Sequence, residues 1–197
     1  MKMRTAFTRD RLVKSCLLPT FIVMLSVVTM REAFAVKEAG NRPYVQSGPD
    51  GVFYARCIPN EATGSAGFTD IYRVQKERDE LVDHYAWYSK RSVVLGWSPI
   101  AGKVGVMSFG KDEPTSLDKQ VEFSFYLGGK FLKSWTTADL QRLGVEISPN
   151  ANGAKRAVFQ VAGCEQIPNS NHYVFMLQFG KDKTISFDIL TGGQYRE

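Results

Sequence analysis

The chain has 197 residues, 44% of them hydrophobic, with 25 Lys and Arg against 20 Asp and Glu and a formal net charge of +5. Residues 1–35 hold six of those cations and two of those anions, which leaves 19 against 18 in the remainder. Phosphate-backbone binding needs a concentrated basic surface, and the densest run past residue 35 is only "KRS" at Lys90–Ser92, so no nucleic-acid partner is expected.

The N-terminus has the layout of an export signal. Lys2, Arg4, Arg9, Arg11 and Lys14 form a positive segment, Cys16–Met30 is apolar but shorter than the ~20 residues of a membrane-crossing helix, and Ala33 and Ala35 fit a cleavage motif. Cleavage after Ala35 predicts a periplasmic or secreted protein with no remaining membrane span. The alternative, suggested by Arg31 and Glu32 beside the cleavage site, is an uncleaved inner-membrane anchor. Residues 36–197 have the length of one domain. Two of the three cysteines lie in it, Cys57 and Cys164, and a compartment that permits disulfides predicts a bridge between them. In the chain-entropy account a loop of about a hundred residues is worth ~4 to 5 kcal/mol.

In chain order, residues 36–51 hold two Pro and three Gly and read as a flexible leader. Short runs of alternating, β-branched and aromatic residues follow at 52–58, 69–75, 81–88, 92–97, 104–109, 121–127, 131–135, 157–161, 173–179 and 184–189. This spacing predicts an all-β antiparallel domain, a sandwich or a strongly twisted meander sheet. One short connector helix interrupts it: Thr137 is read as the cap of "ADLQRL", with Asp139 in its first turn and Gly144 as its stop.

"FGKD" occurs at Phe109–Asp112 and again at Phe179–Asp182. In the second copy a three-residue loop of Lys181, Asp182 and Lys183 sets Phe179 opposite Ile185, Leu177 opposite Phe187 and Phe175 opposite Ile189, whereas loops of two or four residues put polar side chains on the apolar face. The first copy runs into "KDEPTSLDKQ", too long for a tight hairpin, so the repetition is read as strand-end chemistry rather than duplication. In the pair 121–127 and 131–135, the turn "GGK" places Phe123 across from Trp135, with Lys133 intruding on that face.

Most catalytic templates fail on inventory. Beyond residue 35 there is no H-E-x-x-H, G-x-S-x-G, P-loop or G-x-G-x-x-G pattern, and two histidines, His84 and His172, cannot form an all-histidine zinc site. No metal, cofactor or catalytic residue is assigned. Asp79, Glu80 and Asp83 were weighed as a glycosidase pair or calcium ligands, but adjacent Asp79 and Glu80 point to opposite faces of a strand and no glycine-bent ligand loop surrounds them. They read as a solvated turn and strand edge.

The densest unusual stretch is "HYAWYSKRSVVLGW", His84–Trp97. Period two puts Tyr85 and Trp87 on one face and His84 and Tyr88 on the other. The first pair reads as core; His84, Tyr88 and Trp97 are the candidate contacts for a ligand or partner. Gly96, Pro99 and Gly102 are read as turn residues around Trp97.

"VFYARCIP", "DELVDHYAWY", "LGWSPIAGKVGV" and "FYLGGKFLKSWTTADL" resemble segments of a group of uncharacterised exported bacterial proteins, from about Val52 to Gly193. That resemblance implies kinship and export, and carries no activity, cofactor or partner. "ISFDILTGG" looks like part of a β-propeller blade, but four blades of roughly 40 to 45 residues would exhaust the chain. The function expected is an exported binding module for an envelope protein or small ligand; the alternative is a small periplasmic hydrolase. A hydrolase would seat His84 or His172 in a pocket beside a carboxylate and a hydroxyl, whereas a binding module would expose an aromatic or apolar patch. An edge strand docked on another envelope protein is a third possibility.

Overall fold

Val104–Phe109, "VGVMSF", gives water no polar face, and every one of its residues is buried. The reason lies in the layering of the sheets. A computed structural model describes residues 41–60, 66–110, 116–149, 153, 155–170 and 172–196; the expected export segment and the expected cleavage site after Ala35 lie outside the described residues. Strands β1 (Tyr44–Ser47), β2 (Phe53–Pro59), β3 (Gly67–Arg73) and β4 (Glu80–Tyr85) form a first antiparallel sheet in chain order. Strands β5 (Val94–Ser98), β6 (Lys103–Phe109), β7 (Val121–Leu127) and β8 (Lys130–Thr136) form a second. Helix α1 (Thr137–Arg142) leads to a small pair, β9 (Ile147–Pro149) with β10 (Lys155–Ala157). A third sheet, β11 (Phe159–Gln166), β12 (Tyr173–Phe179) and β13 (Lys183–Asp188), completes the fold, which is the all-β antiparallel architecture expected, with one short helix.

The second sheet is the middle layer. Leu95, Val104 and Val106 pack with Phe53, Ala55, Cys57, Ile71 and Tyr85 of the first sheet. From the opposite face Met107, Phe109, Phe123 and Phe125 pack with Phe175, Leu177, Phe187 and Ile189 of the third. Each fully buried aromatic or aliphatic side chain contributes about 1.5–3 kcal/mol. Gly96 and Gly105, paired across β5 and β6, make the second contact close: a Cβ on Gly105 would lie 2.5 Å from Ile189 Cγ1, and one on Gly96 2.5 Å from Cys164 Sγ. Gly96 is therefore a packing residue inside a strand, while the turn beside Trp97 is made by Pro99–Gly102, with Gly102 at φ +59°.

The same layering explains why the predicted Cys57–Cys164 bridge is not formed. Both cysteines are free thiols. Cys57 belongs to the core between the first and middle sheets, and Cys164 packs against Gly96 and the core on the other side of β5. Part of a strand separates them. The Thr69 hydroxyl hydrogen-bonds the buried Cys57 thiol at 3.6 Å instead.

Residues 36–51 are not wholly a leader, since Tyr44–Ser47 pairs with β2 and the Tyr44 hydroxyl reaches the carbonyls of Ser89 (3.0 Å) and Arg91 (2.8 Å). The helix starts one residue earlier than read. Thr136 is its cap: the Thr136 hydroxyl accepts from Asp139 N, and the Asp139 carboxylate accepts from Thr136 N at 3.0 Å, a reciprocal capping box. Gly144, at φ +73°, ends it as expected, and the Lys183 ammonium donates to the Leu143 carbonyl.

The last hairpin keeps the predicted faces but moves by one pair. Phe179 pairs with Lys183 and Leu177 with Ile185, so the three-residue loop is Gly180–Asp182. Gly180, at φ +63°, supplies the left-handed residue of this loop. Phe123 does oppose Trp135, and Lys133 lies with its ammonium 4.3 Å from the Trp135 ring centroid. Both "FGKD" copies end a strand at Phe.

One buried charge was not foreseen. A bulge between Val121 and Phe123 leaves Glu122 outside the ladder, and bulges re-aim side chains. Its wholly buried carboxylate accepts from the Thr137 hydroxyl (2.6 Å), Gln120 Nε2 (3.2 Å), Ala157 N (3.2 Å) and Arg156 Nε (3.1 Å). Glu122 thus ties β7 to α1 and β10.

Candidate functional site

The first sheet gives only one face to the middle layer. Phe53, Ala55 and Cys57 of β2 and Thr69 and Ile71 of β3 point inward and are buried. Period two then turns Tyr54, Arg56 and Ile58 of β2 and Phe68, Asp70 and Tyr72 of β3 to the outer face, and the register continues this row onto His84 and Leu81 of β4 and Val45 of β1. Arg56, His84, Leu81 and Val45 are exposed; Tyr54, Ile58, Phe68 and Tyr72 are half-buried. Tyr54 and Tyr72 stack across the strands at 5.2 Å and 16°, and the Tyr54 hydroxyl donates to Asp79 at 2.8 Å.

At the middle of this face, Arg56, Asp70 and His84 stand in one cross-strand row. Asp70 is 8% exposed although it points outward, because His84, Phe68 and Tyr72 surround it. His84 Nδ1 is 2.6 Å from Asp70 Oδ1. With Nδ1–H donating to the carboxylate, Nε2 is left as an acceptor toward solvent. His172 makes a similar pair, Nδ1 to Asp188 Oδ2 at 2.8 Å, but the other oxygen of Asp188 accepts from the backbone of Leu190 and Thr191, so that acid also holds the turn after β13. No described Ser or Thr hydroxyl is hydrogen-bonded to either ring.

Trp97 lies elsewhere, in a cleft of about 270 Å³ lined by Phe53, Arg73, Glu80, Leu81, Val82, Asp83, Lys103 and Val104 beside it. It stacks on Phe53 at 5.0 Å and 18°, and the Arg73 guanidinium carbon sits 5.2 Å from the Phe53 ring centroid and 5.7 Å from that of Trp97. Arg73 also pairs with Glu80 at 3.4 Å. Burial pushes the Asp83 carboxyl up, and Lys103 pulls part of that shift back. Neither histidine lines this cleft, nor a second one of about 510 Å³ between Gly144–Ser148 and the β12–β13 turn.

The three predicted contacts are therefore separated. His84 is on the outer face and Trp97 at the cleft, while Tyr88 is buried, at 6% exposed. The alternation argument failed at Tyr88 because β4 stops at Tyr85; past it the chain turns inward, and the Tyr88 hydroxyl donates to the Arg42 carbonyl at 3.0 Å. Tyr85 is core as expected, and half-buried Trp87 packs between it and Tyr126. The sequence reading missed Tyr54, Arg56, Phe68 and Tyr72. The available signal was that the second alternating row of "FYARCI" still carries Tyr54 and Ile58 on either side of Arg56, more apolar surface than a strand with one core face needs.

Neither thiol is primed for attack. Burial pushes Cys57 up and pushes Cys164 up to about 12, with Asp50 and Glu165 adding to the latter. Among the described residues no group of three or more His, Cys, Asp or Glu is placed to hold a metal ion, and no helix is long and apolar enough to cross a membrane. Comparison with family models, curated proteins and solved structures finds no match.

Proposed function

We propose that this chain is an exported binding module, periplasmic or secreted, that presents the outer face of its first sheet to a partner protein of the cell envelope. The observation that carries this reading is the make-up of that face: Tyr54, Arg56, Ile58, Phe68, Tyr72, Leu81 and His84 point outward on it, with no lysine among them. Protein interfaces are enriched in Tyr, Phe and Arg and depleted in Lys and Glu, and their anchors are aromatic and Arg side chains. A sheet face is broad and shallow, which suits a protein surface better than a small ligand. Export rests on the charged and apolar N-terminal segment that ends in Ala33 and Ala35.

The test is retention of a partner from envelope extracts on the processed protein. Wild type and a Gln160→Ala control, altered on β11, should hold the same stoichiometric partner; Arg56→Glu and Tyr72→Ala should lose it with melting temperature little changed. A partner held equally by all four, or no stoichiometric partner, contradicts the reading.

The hydrolase reading has one observation in its favour, the two His–carboxylate pairs, because a base oriented by an acid is two thirds of a nucleophile-activating triad. It is the weaker reading: His84 and His172 lie outside both clefts described, and neither ring meets a described hydroxyl nucleophile.

A further inference from the structure

We infer that the cleft beside Trp97 is a second, separate site, and that it takes a neutral saccharide. Its size, about 270 Å³, is at the small end of small-molecule sites. Its apolar lining residues include Trp97, Leu81, Val82 and Val104, and Leu81 is 53% exposed. Four charged side chains also line it, Arg73, Lys103, Glu80 and Asp83, whose formal charges cancel. With the charges balanced, no single sign dominates the site, so net charge is not what it would recognise.

The hydrogen-bonding inventory narrows the class further. Ionised carboxylates only accept, and guanidinium and ammonium groups only donate. The ligand must therefore donate and accept side by side. Arg73 is already paired with Glu80 at 3.4 Å. A charged or zwitterionic ligand must pull this pair apart, whereas a hydroxyl donates to the carboxylate and accepts from the cation while both stay in place. A molecule with a rim of hydroxyls and an apolar C–H face for Trp97 and Leu81 is a sugar ring. The turn that borders the cleft is open, since a Cβ on Gly102 would meet nothing within 4 Å. Of the outer-face residues named above, this site shares Leu81 alone, and none of its polar or aromatic groups, so it stands independently of the partner-protein reading.

The experiment is a titration of the processed protein at neutral pH, followed by the Trp97 indole N–H signal. The probes are glucose, galactose, mannose, N-acetylglucosamine and their common disaccharides, with glucuronate and leucine as charged and zwitterionic comparators. At least one neutral sugar should give a saturable shift with a dissociation constant in the millimolar range or tighter. Asp83→Asn and Lys103→Gln, both conservative at partly accessible positions, should each weaken it about tenfold, as expected for loss of a charge-assisted hydrogen bond. Trp97→Ala should abolish it; because that change also removes the stack on Phe53, the two polar variants keep the test valid if Trp97→Ala does not fold. No shift with any neutral sugar, tighter binding of glucuronate or leucine, or unchanged affinity in both polar variants overturns the inference.

Discussion

Replacing Gly105 by Ala probes the contact on which the layered fold depends. The new methyl would lie 2.5 Å from Ile189 Cγ1 and 2.9 Å from Cδ1, against an ordinary carbon–carbon separation of about 3.5–4.0 Å. Ile189 is 1% exposed and sits in the core shared by the middle and third sheets, so it has no free volume into which to move. Overpacking of this kind costs about 1–3 kcal/mol. Gly105 is not at positive φ, so alanine fits the backbone and recovers about 0.4–1 kcal/mol through the unfolded chain, leaving a net loss of about 1–2 kcal/mol. Ile189→Ala alone should cost about 2–5 kcal/mol. In the double variant the methyl enters the space left by Ile189 and its overpacking cost vanishes. The double loss should then be no larger than that of Ile189→Ala by itself. Urea unfolding with a fitted slope measures all three. If the two single losses instead add to within about 0.5 kcal/mol, Gly105 and Ile189 do not touch and the packing of the third sheet on β6 is wrong.

Three further outcomes follow from the same structure. Glu122→Gln removes the buried negative charge that faces the Arg156 guanidinium, which should cost about 3–5 kcal/mol and lower the melting temperature by roughly 6–20 °C; an unchanged melting temperature contradicts the clamp between β7, α1 and β10. The Asp139 carboxyl is subject to burial, which raises it, but hydrogen bonds from Thr136 and the charges of Arg142 and Lys133 hold it below the usual range. A depressed carboxyl stabilises the fold above its unfolded value of about 3.9 and loses that contribution as pH falls through the lower folded value, so the stability gap between wild type and Asp139→Asn should be full at neutral pH and close in acid; a gap that widens in acid refutes the capping box. Thiol titration of the processed protein should find Cys57 and Cys164 both reactive after unfolding without reductant, and zero thiols would contradict the separation of the two by β5.

The sequence made the strands legible because each alternates or is β-branched, and 121–127 and 173–179 match β7 and β12 in both bounds. Parity was legible in the last hairpin for the same reason. The pairing was not, since loops starting at Gly180 or at Lys181 preserve the same faces and only the left-handed Gly180 decides between them. At the helix, Thr136 and Thr137 are equally good caps by type; the place of Asp139, three residues after Thr136, was the decisive spacing. Tyr44–Ser47 is too short to show a period against its Pro- and Gly-rich flanks. Glu122 was hidden most completely, because in "VEFSF" it reads as the solvent side of an alternating strand, and the bulge that buries it leaves no mark in residue types. Of the candidate contacts, His84 and Trp97 reached accessible positions, and Tyr88 did not because the strand was taken three residues too far.

The central claim is that the outer face of the first sheet meets a partner protein, and the most direct measurement is site-specific photo-crosslinking in intact cells. A photoreactive residue placed at Arg56 or at His84, the two exposed ends of one cross-strand row through Asp70, should capture the same single envelope protein, and one placed at the exposed Gln160 of β11 should capture none. Equal capture from Gln160, or no capture from Arg56 and His84, would contradict the account.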